Sequence, residues 1–144
     1  MRADAFLADA VQASGGKLHA LGVGWSVLRV GGFPARHDRV GIGVTVRTTA
    51  AEAGEHSLTI SLLGPDGSAR PLGDGTALQA GFATPPGEGS ATLALNLDGL
   101  VFEAEGEHTF VLAVDDRETA RLSFAVQAAA APTPSTETGP TGYL

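Results

Sequence analysis

Four histidines, His19, His37, His56 and His108, are the side chains of this sequence best suited to bind a metal or move a proton near neutral pH. Two of them have matching surroundings. Gly54-Glu55-His56-Ser57-Leu58 echoes Gly106-Glu107-His108-Thr109-Phe110, a repeat that would offer paired Glu-His ligands to zinc or an acid-base pair to a substrate. Each segment also opens a run that alternates like a β-strand. In an immunoglobulin-like sandwich the third and penultimate strands are antiparallel neighbours, so their starts fall at opposite ends. About seven residues at roughly 3.3 Å each then hold the two histidines about 20 Å apart, too far to share a metal. Both are expected to be polar residues at the starts of strands. His19 and His37 have no Asp/Glu-His or His-x-His spacing, so neither is read as a ligand.

Other chemistries find no support. No Gly-x-Ser-x-Gly elbow presents a nucleophilic serine. Gly22-Val23-Gly24 and Gly41-Ile42-Gly43 lack the third glycine and following helix of a dinucleotide loop. Glu103, Glu105 and Glu107, with Asp115 and Asp116, form two acidic clusters without the Asp-x-Asp-x-Asp-Gly spacing of a calcium loop, and they read as solvated charge. Trp25, the only tryptophan, is expected to plug the core beside an N-terminal hairpin. The expectation is a protein with no catalytic residue, no metal and no cofactor.

The elements that would position these side chains are strands. In 144 residues, 43% hydrophobic and 17% charged, twenty glycines and eight prolines leave little room for long helices and suit one all-β domain. Val40, Ile42, Val44 and Val46 alternate with small residues, and the same period of two recurs at Leu58-Ile60-Leu62, Leu93-Leu95-Leu97, Phe110-Leu112-Val114 and Leu122-Phe124-Val126. A shorter strand is expected between Thr76 and Phe82. Gly64-Pro65-Asp66-Gly67 has turn chemistry, the short polar link at Asp115 to Glu118 predicts a hairpin of the last two strands, and Ala13-Ser14-Gly15-Gly16 predicts one between the segments 2–11 and 17–30. A short N-terminal helix is the alternative for the first of these segments. These patterns predict an antiparallel immunoglobulin-like or fibronectin-like sandwich over residues 1–127, followed by a flexible Ala/Pro/Thr-rich tail over 128–144.

Charge and cysteine content limit the partners. Nine Lys and Arg against sixteen Asp and Glu give a net charge of −7, which disfavours nucleic acid and anionic membrane surfaces. No run of 18 apolar residues occurs, and Asp4 and Asp9 interrupt the first segment where a secretory signal needs an apolar stretch. The absence of cysteine suits a reducing cytoplasm.

Phe6-Leu7-Ala8-Asp9-Ala10-Val11-Gln12, then Gly16-Lys17-Leu18-His19-Ala20-Leu21-Gly22-Val23-Gly24-Trp25, resembles the opening of an uncharacterised family of small bacterial β-sandwich proteins, a domain of unknown function. Gly106-Glu107-His108-Thr109-Phe110 is similar to that family's Gly-x-Tyr-x-Phe strand. The resemblance spans roughly residues 3–127 and implies a fold without an activity. It departs at His19 and His108, where the family usually shows an aromatic residue.

With no chemistry to assign, surfaces carry the functional expectation. The outward positions of three strands are Ser57, Thr59, Ser61 and Leu63, then Thr109, Val111 and Ala113, then Thr119, Arg121, Ser123 and Ala125, with a single charge among them. Thr109, Val111, Ala113, Arg121 and Ser123 are the expected centre of an interface with another copy or a protein partner. The leading expectation is thus a cytoplasmic, non-enzymatic interaction or structural module. A second reading starts from Gly142-Tyr143-Leu144, which resembles the Gly-Gln-Tyr-Leu ending by which bacterial proteasome activators dock on the core particle. A third is a ligand-binding sandwich with its site in the loops Gly64 to Gly75 and Thr84 to Gly89.

Overall fold

A computed structural model describes residues 1–129. Eleven strands follow in order: β1 (Arg2–Ala8), β2 (Ala10–Ser14), β3 (Lys17–Leu21), β4 (Val27–Val30), β5 (Ala35–Thr48), β6 (Gly54–Leu63), β7 (Ala69–Arg70), β8 (Ala77–Thr84), β9 (Gly89–Phe102), β10 (Gly106–Val114) and β11 (Arg117–Ala128). A 3-10 turn over Ala50–Glu52 is the one helical element among the described residues. None of these residues forms a helix long and apolar enough to cross a membrane.

The strands make a β-sandwich. One sheet has the order β1-β5-β9, and the larger has β4-β11-β10-β6, with β8 and then β7 sharing the far edge of β6. Val40, Ile42, Val44 and Val46 of β5 face Leu58, Ile60 and Leu62 of β6 and Phe110, Leu112 and Val114 of β10 across a closed core. Alternation along each strand therefore sorts branched apolar residues inward, as their spacing predicts. Leu93, Leu95 and Leu122 are only half-buried. The first two lie on edge strand β9, and Leu122 lies beyond the stretch of β11 that β4 covers.

The N-terminal segment departs from the expected single hairpin. Only Ala10–Ser14 and Lys17–Leu21 pair with each other, turning at Gly15 and Gly16, whose φ angles are 58° and 73°. β1 instead pairs with β5, and β4 crosses to the opposite sheet. There β4 runs parallel to β11, so the sandwich is not antiparallel throughout. The strand period could not reveal this, because parallel and antiparallel edges share the same side-chain alternation. The β2-β3 hairpin folds over the outer face of the smaller sheet, where Asn96 accepts from the Val11 amide at 3.0 Å and donates to the Val11 carbonyl at 2.9 Å. This close approach explains Gly41, where an added Cβ would lie 3.1 Å from the Ala10 backbone; Gly43 instead makes room for the ring of Phe6, its partner on β1.

Candidate interaction face and the two ends of the larger sheet

The expected interface residues come together on the outer face of the larger sheet. Register places Thr109 between Leu63 and Ser123, and Val111 between Ser61 and Arg121. Thr59 and Glu118 flank Ala113. The Thr109 and Ser123 hydroxyls are 3.0 Å apart and hydrogen-bonded. Strand β8 extends the face, setting Gln79 beside Thr59 and Ala77 beside Ser61, and β4 extends the other side through Val27 beside Ala125. The alternation of Ala77, Gln79 and Gly81 with Leu78, Ala80 and Phe82 carried the signal for the β8 extension. Nothing in the sequence pointed to β4.

One position is corrected. A bulge between Leu112 and Ala113 brings Glu118 opposite Ala113 and leaves Thr119 out of the ladder, its hydroxyl donating to the Leu112 carbonyl at 3.2 Å. The centre of the face therefore carries two charges rather than one, and they cancel, since Arg121 and Glu118 approach to 2.7 Å. Both side chains are about half exposed, so this pair adds little stability, and its effect is to leave the surface locally neutral. Glu107 beside Ala125 and Glu55 beside Ala83 add acidic charge at the two ends of the face.

The two Gly-Glu-His segments mark opposite ends of this sheet, as expected from antiparallel pairing of β6 with β10. At the β6 start, His56 Nδ1 lies 2.6 Å from an Asp115 carboxylate oxygen and Nε2 lies 2.6 Å from the Glu52 carbonyl. Both partners only accept, so both ring nitrogens must donate and the ring is an imidazolium. The Asp115 hydrogen bond, then the Glu52 carbonyl, raise the His56 pKa above 6.5. In return His56 and the Ser57 amide, which donates to Asp115 at 2.9 Å, lower the Asp115 pKa. Asp115 and Asp116 form the β10-β11 turn at φ 49° and 66°, left-handed values that Asp tolerates better than most residues. With both nitrogens engaged, His56 has no lone pair left for a proton or a metal. Glu52 also accepts from the Met1 ammonium and then the Thr49 amide, which bring its pKa down to about 2.

At the β10 start, His108 is 2% exposed, a correction to the reading of both histidines as polar strand-start residues. Its ring stacks on Phe124 at 5.8 Å and meets Phe102 edge-on at 5.1 Å, while Nδ1 lies 3.0 Å from the Gly106 carbonyl. Burial is the main cause that lowers its pKa below 6.5, so the ring is neutral at pH 7. His108 thus occupies an aromatic place in a cluster with Phe102, Phe110 and Phe124. Trp25 is half-buried against the same cluster, edge-on to Phe124 at 5.5 Å, and its buried Nε1 has no hydrogen-bond partner among the described residues.

No three His, Asp or Glu side chains among the described residues are placed to hold one metal ion. The loops proposed for a ligand, 64–75 and 84–89, do not converge on one cavity: the first borders a cleft with Asp98 to Glu103, and the second ends beside Met1 and Arg47. Gly142, Tyr143 and Leu144 lie outside the described residues.

The sandwich and its sequence define a class before any activity is considered. Residues 3–127 match a family of unknown function (DUF6941), and the chain belongs to that family. No curated protein matches it. Among solved structures, the chain is similar to part of the alkylpurine DNA glycosylase AlkC of Pseudomonas fluorescens bound to DNA containing an abasic site analog. The TM-score is 0.51 at 14% identity, over 72% of this chain and 28% of that one. It is also similar to part of β-glucosidase 3B from Thermotoga neapolitana, with TM-score 0.47, 12% identity, and 87% of this chain against 16% of that one. An immunoglobulin-like protein from Pseudomonas aeruginosa gives TM-score 0.37 and 16% identity over 88% and 95% of the two chains. The chain spans about a quarter of the glycosylase's length, and the likeness is one of fold alone.

Proposed function

We propose that the protein is a non-enzymatic interaction module of the cytoplasm that docks a protein partner on the outer face of its larger sheet. The observation that carries this reading is the cross-strand grid centred on Thr109, Val111 and Ala113, flat and small in its side chains, with Arg121 and Glu118 as an internally neutral pair. In a chain of net charge −7, the acidic side chains nearest this centre, Glu55 and Glu107, lie at the ends of the face. Such a face loses little by desolvation and suits a partner surface of matching flatness and neutrality.

The test is affinity capture with the full chain, the Val111→Glu variant and a variant lacking Tyr143-Leu144. Val111→Glu is expected to lose the partner while thermal unfolding stays unchanged, because the side chain points away from the core. Equal capture by Val111→Glu and the unaltered chain overturns the reading. Loss only on deleting Tyr143-Leu144 transfers the partner to the C-terminal peptide, and a proteasome core particle is then the first partner to try.

A further inference from the structure

The two flanks of the sandwich differ in a way that the outer face does not explain. Among the described residues each sheet leaves both edges unpaired: β1 and β4 on one flank, β8 and most of β9 on the other. Unpaired backbone at an edge is a template for another strand, and soluble proteins block it with charged side chains, proline or short strands. The first flank follows that rule. β1 carries Arg2 and Asp4, with Asp4 ion-paired to both Arg2 and Arg47, and β4 is four residues long with Arg29 in it.

The second flank does not. β8 reads Ala-Leu-Gln-Ala-Gly-Phe-Ala-Thr over Ala77–Thr84, and β9 runs from Gly89 to Leu97 without a charge or a proline. Inward-facing Leu78 and Phe82 of β8 and Leu93 and Leu95 of β9 remain half-buried, packed on the core from one side only. The first charge along β9 is Asp98, already held by Arg39 at 2.6 Å. Nine residues at about 3.3 Å give an uncharged edge roughly 30 Å long.

We infer that β9 pairs with β9 of a second copy, antiparallel across a two-fold axis within Ala91–Leu97, joining the two smaller sheets into one six-stranded sheet. A free strand edge accepts a strand, and self-pairing of one strand about a two-fold is the isologous contact that closes as a dimer. Identical strands without charge place no like charges opposite each other and leave no charge to desolvate at the seam. A contact made by one strand edge is small beside the roughly 800 Å² per partner typical of firm complexes, so the dimer is weak and dependent on concentration. This contact uses a different surface from the outer face of the larger sheet, and the two fail independently.

Sedimentation velocity of the full chain up to about 1 mM is expected to show reversible dimerisation. Ala94→Lys puts a charge at a half-buried position on the outer side of the edge strand and is expected to weaken the dimer about tenfold or more; Val111→Glu leaves the dimer intact. Hydrogen exchange supplies a reading without substitution: amides of Ala91–Leu97 gain protection as protein concentration rises, and those of β1 do not. A chain that stays monomeric throughout, a dimer indifferent to Ala94→Lys, or β9 exchange indifferent to concentration overturns the inference.

Discussion

His56 and His108 follow the same residues, Gly-Glu, on neighbouring strands, and the glycines two positions before them take similar φ angles of 130° and 135°. Their chemistry is opposite. His56 is charged because a carboxylate and a carbonyl from two other segments reach its two nitrogens. His108 is neutral because burial against Phe102 and Phe124 keeps water from its ring. Local sequence set both at the start of a strand. The residues that arrived from elsewhere in the chain decided which one carries a proton.

The register that places these two ends apart is tested most strongly in between. Leu112→Ala opens a cavity at a fully buried site and is expected to cost about 2–5 kcal/mol in urea unfolding, whereas Ala113→Ser on the outer face costs less than about 0.5 kcal/mol. Equal losses would break the comparison, because His56 and His108 could not then face as described. At the buried end, His108→Ala is expected to cost about 2–4 kcal/mol, while His108→Phe retains the stacking and is nearly neutral at pH 7.

The pH response sharpens the contrast, and the two signs are opposite. The folded pKa of His108 is below its ordinary 6.5, so on acidification the unfolded chain takes up that proton first and stability falls as pH drops below 6.5. His108→Phe lacks this loss and gains on the unaltered chain below pH 6.5. The folded pKa of His56 is above 6.5, so its stabilisation is complete below that value and fades as pH rises through the folded pKa. His56→Gln is therefore expected to lower the Tm most below pH 6.5, and its deficit shrinks in alkali. A deficit that does not vary with pH would mean that His56 carries no proton.

The smallest effects separate the two aspartates of the β10-β11 turn. Asp115→Asn removes the charge that holds His56 and is expected to lower the Tm, and adding His56→Gln then costs less than it does in the unaltered chain, because only the Glu52 carbonyl bond is left to lose. Asp116 makes no comparable bond, and Asp116→Gly relieves its positive φ, giving a slight gain by differential scanning calorimetry.

Strand identity and facing were legible in the sequence because they depend on covalent alternation: Val40, Ile42 and Val44, like Leu58, Ile60 and Leu62, must share a face whatever lies opposite. The turns at Gly15-Gly16, Gly64 to Gly67 and Asp115-Asp116 were legible for the same reason, being set by residues adjacent in the chain. The outer face followed from that alternation, apart from the bulge that exchanged Thr119 for Glu118. What the tertiary structure alone decided depends on residues far apart. β4 joins β11 nearly a hundred positions away and in parallel, Asp115 reaches back 59 positions to His56, and Gly41 yields space to the backbone of Ala10. Desolvation and pairing are properties of what packs against a residue, so no local pattern distinguishes the charged histidine from the neutral one.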